Sequence, residues 1–249
     1  MTGDAQPSSP MAHARRPLRP WRALIIALVI AAALIPCDLF ISRAIVTLRP
    51  SGDLRRELEL IQQFGSPTTI ALVALLIWRL DPRRLRRILD WLAAAAITWA
   101  IIFALKITLG RPRPKFDEHL VFLGPWNTHV VQEGDPARHA WEVSAPDITE
   151  IWSMPSSHTA FAFVAAVFLG RLYPRLWPVV LALACVVGFC RVLFRAHFAS
   201  DVVIGGAIAC TITSLAFTNG WGVRAVDFLW RTFIDKNAKP AWPSANEAR

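Results

Sequence analysis

Lys106, Arg113, Ser156, Ser157, His158, Arg191, His197 and Asp201 are residues of the types that handle phosphoryl groups. They fall in three clusters: KITLGRPRP at 106–114, MPSSHTA at 154–160 and CRVLFRAHFASD at 190–201. Each cluster stands at the end of a long apolar run, where cations and imidazoles are costly and therefore mark function. Lysine and arginine neutralise phosphoryl oxygens. Pro155 suits a first helical turn, so the N–H groups of Ser156, Ser157 and His158 are expected to be unpaired and to form an anion site. Arg191 and Arg195 are four residues apart, a spacing that predicts one shared helical face turned toward a bound anion. His197 and Asp201 have the same spacing. The carboxylate can accept from one ring nitrogen and leave the other free to attack. One imidazole attacking phosphorus and a second protonating the leaving oxygen would complete phosphoryl transfer. No carboxylate cage suited to magnesium accompanies these residues, so the expected chemistry uses neither metal nor cofactor.

Such clusters need helices to hold them. The chain is 54% hydrophobic with a net charge of +9. Its mean hydropathy is +0.40, which argues against a soluble domain. Apolar runs near 22–46, 66–80, 89–109, 155–172, 176–194 and 201–219 predict six membrane spans, the second lengthened through Leu60, Ile61 and Phe64. Continuous apolar runs without alternation mean helices, so the fold class is an all-α polytopic bundle. Arg15, Arg16, Arg19 and Arg22 precede the first run, and Arg79, Arg83, Arg84, Arg86 and Arg87 separate the second from the third. Arg171 and Arg175 separate the fourth from the fifth, and Arg224, Arg231, Lys236 and Lys239 follow the last. Alternating spans put all of these on one side, the positive-inside pattern, with both termini cytoplasmic. The three polar clusters then share the outer face. Topology accounts for the charge, and nucleic acid is not an expected partner.

Residues 1–20 read as a disordered cytoplasmic segment, 21–219 as the membrane domain and 220–249 as a cytoplasmic tail on the inner leaflet. The first run is too long for a cleaved signal. The link 47–65 reads as an amphipathic connector helix, and 110–154 is the one long outer loop. His119, His129 and His139 recur every tenth residue, a spacing that does not suit zinc. Trp126, Trp141 and Trp152 are expected to pack that loop on the interface. Trp21, Trp78, Trp91, Trp177 and Trp221 are expected in an aromatic belt. Asp38 is expected to pair inside the bundle. Cys37, Cys185, Cys190 and Cys210 read as small buried core residues.

The ordered set Lys106-x6-Arg113-Pro114, Pro155-Ser156-Ser157-His158 and Arg191-x5-His197-x3-Asp201 resembles the type 2 phosphatidic acid phosphatase and haloperoxidase superfamily, in its six-helix membrane branch. The resemblance covers about 66–219, with the signature itself at 106–201. It implies that Lys106, Arg113, Ser156 and Arg191 bind phosphate, with Ser157 beside them. It further implies that His158 is the general acid, His197 the nucleophile that becomes phosphorylated, and Asp201 the residue that orients it. The chain has Ser157 where the family usually has glycine, and Cys190 where it usually has serine. The implied protein is a metal-independent lipid phosphatase of the bacterial inner membrane, facing the periplasm or cell exterior. Its substrate would be undecaprenyl diphosphate, phosphatidic acid, phosphatidylglycerol phosphate or a lipid A phosphate. The same residues would also serve phosphoryl transfer to a lipid or sugar acceptor, or non-catalytic binding of a lipid phosphate.

Overall fold

A computed structural model describes residues 20–48 and 50–237. The expected disordered segment up to residue 19, with Arg15, Arg16 and Arg19, lies outside these residues, as does the tail from 238 with Lys239. The first apolar run forms α1 (Pro20–Leu34), which continues through a single 3-10 turn at Ile35–Cys37 into α2 (Asp38–Val46). Pro36 cannot donate within a helix, which explains the break. There follow α3 (Gly52–Ile61), α4 (Pro67–Leu80) and α5 (Arg87–Leu109), then α6 (Ser157–Leu172), α7 (Trp177–Leu193), α8 (Ala199–Asn219) and α9 (Trp221–Phe233). The long loop adds one departure from an all-α fold, a hairpin of β1 (Thr128–His129) and β2 (Arg138–His139).

Among the described residues, four segments are long and apolar enough to cross a membrane: Pro20–Val46, Arg87–Phe116, Pro174–Leu193 and Ala199–Asn219. A fifth arises if Gly52–Gly65 and Pro67–Leu80 count as one, but they meet at 67°. The second span is therefore not prolonged straight through Leu60, Ile61 and Phe64. Ser66 is extended and Pro67 starts the next helix, so the chain turns there. The remaining run, α6, has 16 residues, fewer than the roughly 20 a lipid-facing span needs. It need not match the bilayer, because α5, α7 and α8 all pack against it and most of its residues are buried.

The core centres on α6. Val164 and Phe168 are fully buried, and Trp91 stacks on Phe168 at 4.8 Å between ring centroids. Trp91 is thus a core residue and not part of the aromatic belt, whereas Trp21 and Trp78 stay half exposed. Of the cysteines only Cys190 is buried; Cys37 and Cys185 are exposed on apolar helices, so an apolar run alone did not mark them as core. A second apolar cluster of Leu123, Val131, Ala140, Ile148 and Ile151 holds the long loop together.

The arginine-rich end is tied by backbone carbonyls and acids. Arg84 donates to the Leu172 carbonyl, and Arg87 to Asp90 at 2.9 Å and to the Phe217 carbonyl at 3.1 Å. Asp90 also accepts from the N–H groups of Gly222 and Val223, satisfying the first turn of α9. That helix exposes Val226, Leu229, Trp230 and Phe233 at helical spacing, the form of an interfacial helix. The opposite end of the bundle carries the three polar clusters.

Candidate active site

Lys106 stands on the last turn of α5, and Gly110 ends that helix in the left-handed conformation at φ 59°, its N–H returning to the Lys106 carbonyl at 3.1 Å. The chain beyond, interrupted by Pro112 and Pro114, runs alongside residues 149–153. Arg113 N–H bonds the Glu150 carbonyl at 2.9 Å, and Ser153 N–H bonds the Arg111 carbonyl at 2.8 Å. The end of the long loop is thereby tied to the first cluster. Lys106 donates to the Trp152 carbonyl, and Arg113 Nε to the Thr149 carbonyl at 3.0 Å.

The second cluster opens α6 and the third closes α7. Arg191 lies on the last turn of α7 and donates through Nη1 to Gln62 Oε1 at 2.9 Å. His197 sits in the short link before α8, and Asp201 on the first turn of that helix. These elements enclose a cavity of ≈ 260 Å³. Lys106, Arg113, Ser157, His158, Arg191 and His197 line its polar end, while Trp99, Ile102, Phe103 and Trp152 form an apolar wall. Trp152 packs on the loop's apolar cluster and donates to the Ala140 carbonyl at 2.8 Å. It faces the cavity and meets Phe103 edge-on at 5.8 Å.

Two expected residues stand behind the cavity. Ser156 is fully buried; its hydroxyl oxygen accepts from the Thr159 N–H at 3.5 Å, capping α6, and meets the Thr159 hydroxyl at 2.9 Å. Its N–H is not unpaired as expected; it bonds the Asp201 carbonyl at 3.1 Å. Ser157 and His158 supply the first-turn N–H donors instead. Asp201 is also buried, with its Oδ2 3.8 Å from His197 Nδ1. The nearer acceptor for Nδ1 is the Ser153 carbonyl at 2.6 Å. A carbonyl can only accept, so Nδ1 carries the proton and Nε2 keeps its lone pair. Asp201 in turn accepts from Ser153 Oγ at 2.5 Å and Phe198 N–H at 2.8 Å.

Burial pushes the His197 imidazole down to about 3, outweighing the upward pull of Asp201. The ring is neutral at any working pH. In nitrogen NMR spectra His197 should hold the Nδ1–H tautomer without titrating between about pH 8 and pH 5. A ring that protonates near the ordinary histidine value would contradict this placement.

Arg195 does not share the face of Arg191. It adopts φ 53° just after α7 ends, which breaks the four-residue helical relation. It bonds Pro114 O and Asp117, whose other oxygen takes Arg43 at 3.1 Å. Foremost the Arg43 hydrogen bond, and Arg195 with it, holds the Asp117 carboxyl below its usual range.

Sequence reasoning missed Arg111. It is fully buried and bridges Asp201 at 2.6 Å, Asp38 at 2.9 Å and Ser200 Oγ at 2.8 Å. Asp38 does pair within the bundle, and it also accepts from Ser200. Among the described residues, no group of three or more His, Cys, Asp or Glu is placed to hold a metal ion.

Residues 87–224 match the PAP2 superfamily. The chain belongs to that superfamily. The PAP2 match runs from α5 into α9, includes all three clusters and leaves α1 to α4 outside. Among solved structures, the chain resembles the transmembrane PAP2 type phosphatidylglycerolphosphate phosphatase from Bacillus subtilis, with 21% identity and a TM-score of 0.57 over 82% of this chain and 96% of that one. It also resembles LpxE from Aquifex aeolicus, with 16% identity and a TM-score of 0.52 over 73% of this chain and 95% of that one. At these identities the likeness establishes the PAP2 membrane fold. No curated protein matches the chain.

Proposed function

We propose that this PAP2 protein is a membrane phosphatase that hydrolyses a lipid phosphomonoester or diphosphate through a phosphohistidine. The observation that carries the reading is a single cavity holding three cations and two imidazoles at one end and aromatic side chains along its wall. The polar end suits a phosphoryl group, and the wall suits the start of a lipid tail. His197 Nε2 forms the bond to phosphorus while the bond to the lipid oxygen breaks, and His158 gives that oxygen its proton. Water then attacks phosphorus, His158 takes the water proton, and the N–P bond breaks to release phosphate. Lys106, Arg113 and Arg191 neutralise the oxygens throughout, helped by the N–H groups of Ser157 and His158. Ser156 supports from behind, as the cap of α6. Asp201 acts through Ser153 and the link at 198, keeping His197 aimed.

The residues lining the cavity include no carboxylate, so nothing there favours a divalent cation over the phosphoryl group itself. The reading includes six spans with both termini on the inner side of a bacterial membrane and the cavity at the outer face. The arginine-rich opposite end supports that orientation. Undecaprenyl diphosphate, phosphatidic acid, phosphatidylglycerol phosphate and lipid A phosphates remain the candidate substrates.

Purified protein should release phosphate from at least one of these lipids in the presence of a chelator. Vanadate, which mimics the five-coordinate phosphorus, should inhibit. A strict magnesium requirement, or indifference to vanadate, would overturn the reading.

A further inference from the structure

Gln62 lies in the turn after α3, just before the 67° bend, and is only 6% exposed. It belongs to none of the three clusters and lies outside the PAP2 match. Its Oε1 accepts from Arg191 Nη1 at 2.9 Å and its Nε2 points to the Leu58 carbonyl at 3.5 Å. The amide orientation follows from the partners, because a guanidinium only donates and a carbonyl only accepts.

We propose that Gln62 is a positioning residue that fixes Arg191 toward the phosphoryl site while leaving its charge unspent. This deepens the phosphatase reading and rests on it. The contrast with Arg111 carries the argument. Arg111 meets two carboxylates and lines no part of the cavity, so its charge is consumed within the fold. The cavity cations are held differently. Lys106 takes the Trp152 carbonyl, and Arg113 takes the Thr149 carbonyl at 3.0 Å with Glu150 farther off at 3.7 Å. Arg191 takes a neutral amide, and its buried Nε has no hydrogen-bond partner among the described residues. A neutral acceptor holds the guanidinium in place without lowering its attraction for an anion, whereas a carboxylate would compete with the phosphate.

The turn that carries Gln62 is itself firmly seated. A Cβ on Gly65 would lie 2.3 Å from the His158 carbonyl oxygen, so backbone meets backbone there and only glycine fits. The bent segment at the second apolar run thus reaches two of the three clusters, touching His158 through Gly65 and Arg191 through Gln62.

The test compares Gln62→Glu with Gln62→Met, which keeps the length and removes the acceptor. Orthovanadate inhibition and lipid-phosphate kinetics are measured for both beside wild type and His197→Ala. Gln62→Glu should weaken vanadate inhibition by about tenfold or more, and Gln62→Met by a few fold, with KM following the same order. A purely structural tie would make both variants lose thermal stability without that order in anion affinity. Equal vanadate affinity in wild type and Gln62→Met, or equal loss in the two variants, overturns the proposal. If Gln62→Glu does not fold, the Gln62→Met comparison with wild type decides alone. A wild type that releases phosphate from none of the lipids would instead sink the phosphatase reading, a fully active His197→Ala would sink its phosphohistidine step, and these failures are thereby distinguished from that of Gln62.

Discussion

His197→Ala is expected to abolish phosphate release, with a fall of at least about 10⁴-fold, because no other cavity residue offers an unprotonated nitrogen aimed by a fixed partner. The loss should fall on kcat while vanadate still binds, since Lys106, Arg113 and Arg191 remain. A radiophosphate label that is acid-labile and base-stable should be trapped on wild type during turnover and be absent from the variant. His158→Ala provides the counterpart. With a leaving group that needs no proton, such as nitrophenolate, it should lose much less rate than with a lipid alkoxide. Phosphate release by His197→Ala above about 1% of wild type would mean that water attacks directly, and the two-step scheme would be lost.

Arg111→Met should be the most destabilising single change among the polar groups. It leaves Asp38 and Asp201, both fully buried, without their shared cation. Breaking a buried pair in this way costs about 3–5 kcal/mol. Asp38→Asn added to Arg111→Met should recover part of the loss, because an amide no longer needs the cation, whereas Asp38→Asn alone should destabilise. Thermal unfolding in detergent reads all three. If Arg111→Met melts with wild type, the network is not holding α2, α8 and the first cluster together.

Residue types and apolar runs made the helices legible, with α5, α7 and α8 beginning and ending within two residues of expectation. Lipid-facing helices announce themselves by length and composition alone. The bend at Ser66 was not legible, although Gly65-Ser66-Pro67 contains the signal for it. Of the site, the residues facing the cavity could be picked from their charge and their places at helix ends. What lies one layer behind could not. Asp38 required a buried cation, but the family spacing singled out only Arg113 for the cavity, and no pattern marked Arg111 two residues earlier as the cation that Asp38 takes. Ser153 carried no pattern, because it meets His197 through a backbone carbonyl, which every residue has, and its hydroxyl bond to Asp201 joins residues far apart in the chain. Arg195 was misplaced because a four-residue spacing was extended past the point where α7 stops.

Ser153 contacts His197 through its carbonyl, Asp201 through its hydroxyl and the Arg111 carbonyl through its N–H. Roof and nucleophile are therefore rivets in one plate: lifting the outer loop to admit a headgroup from water would misalign the attacking nitrogen. On the proposed phosphatase reading, a lipid tail that entered by the flank beside Phe103 and the half-exposed Trp99 would leave this plate undisturbed.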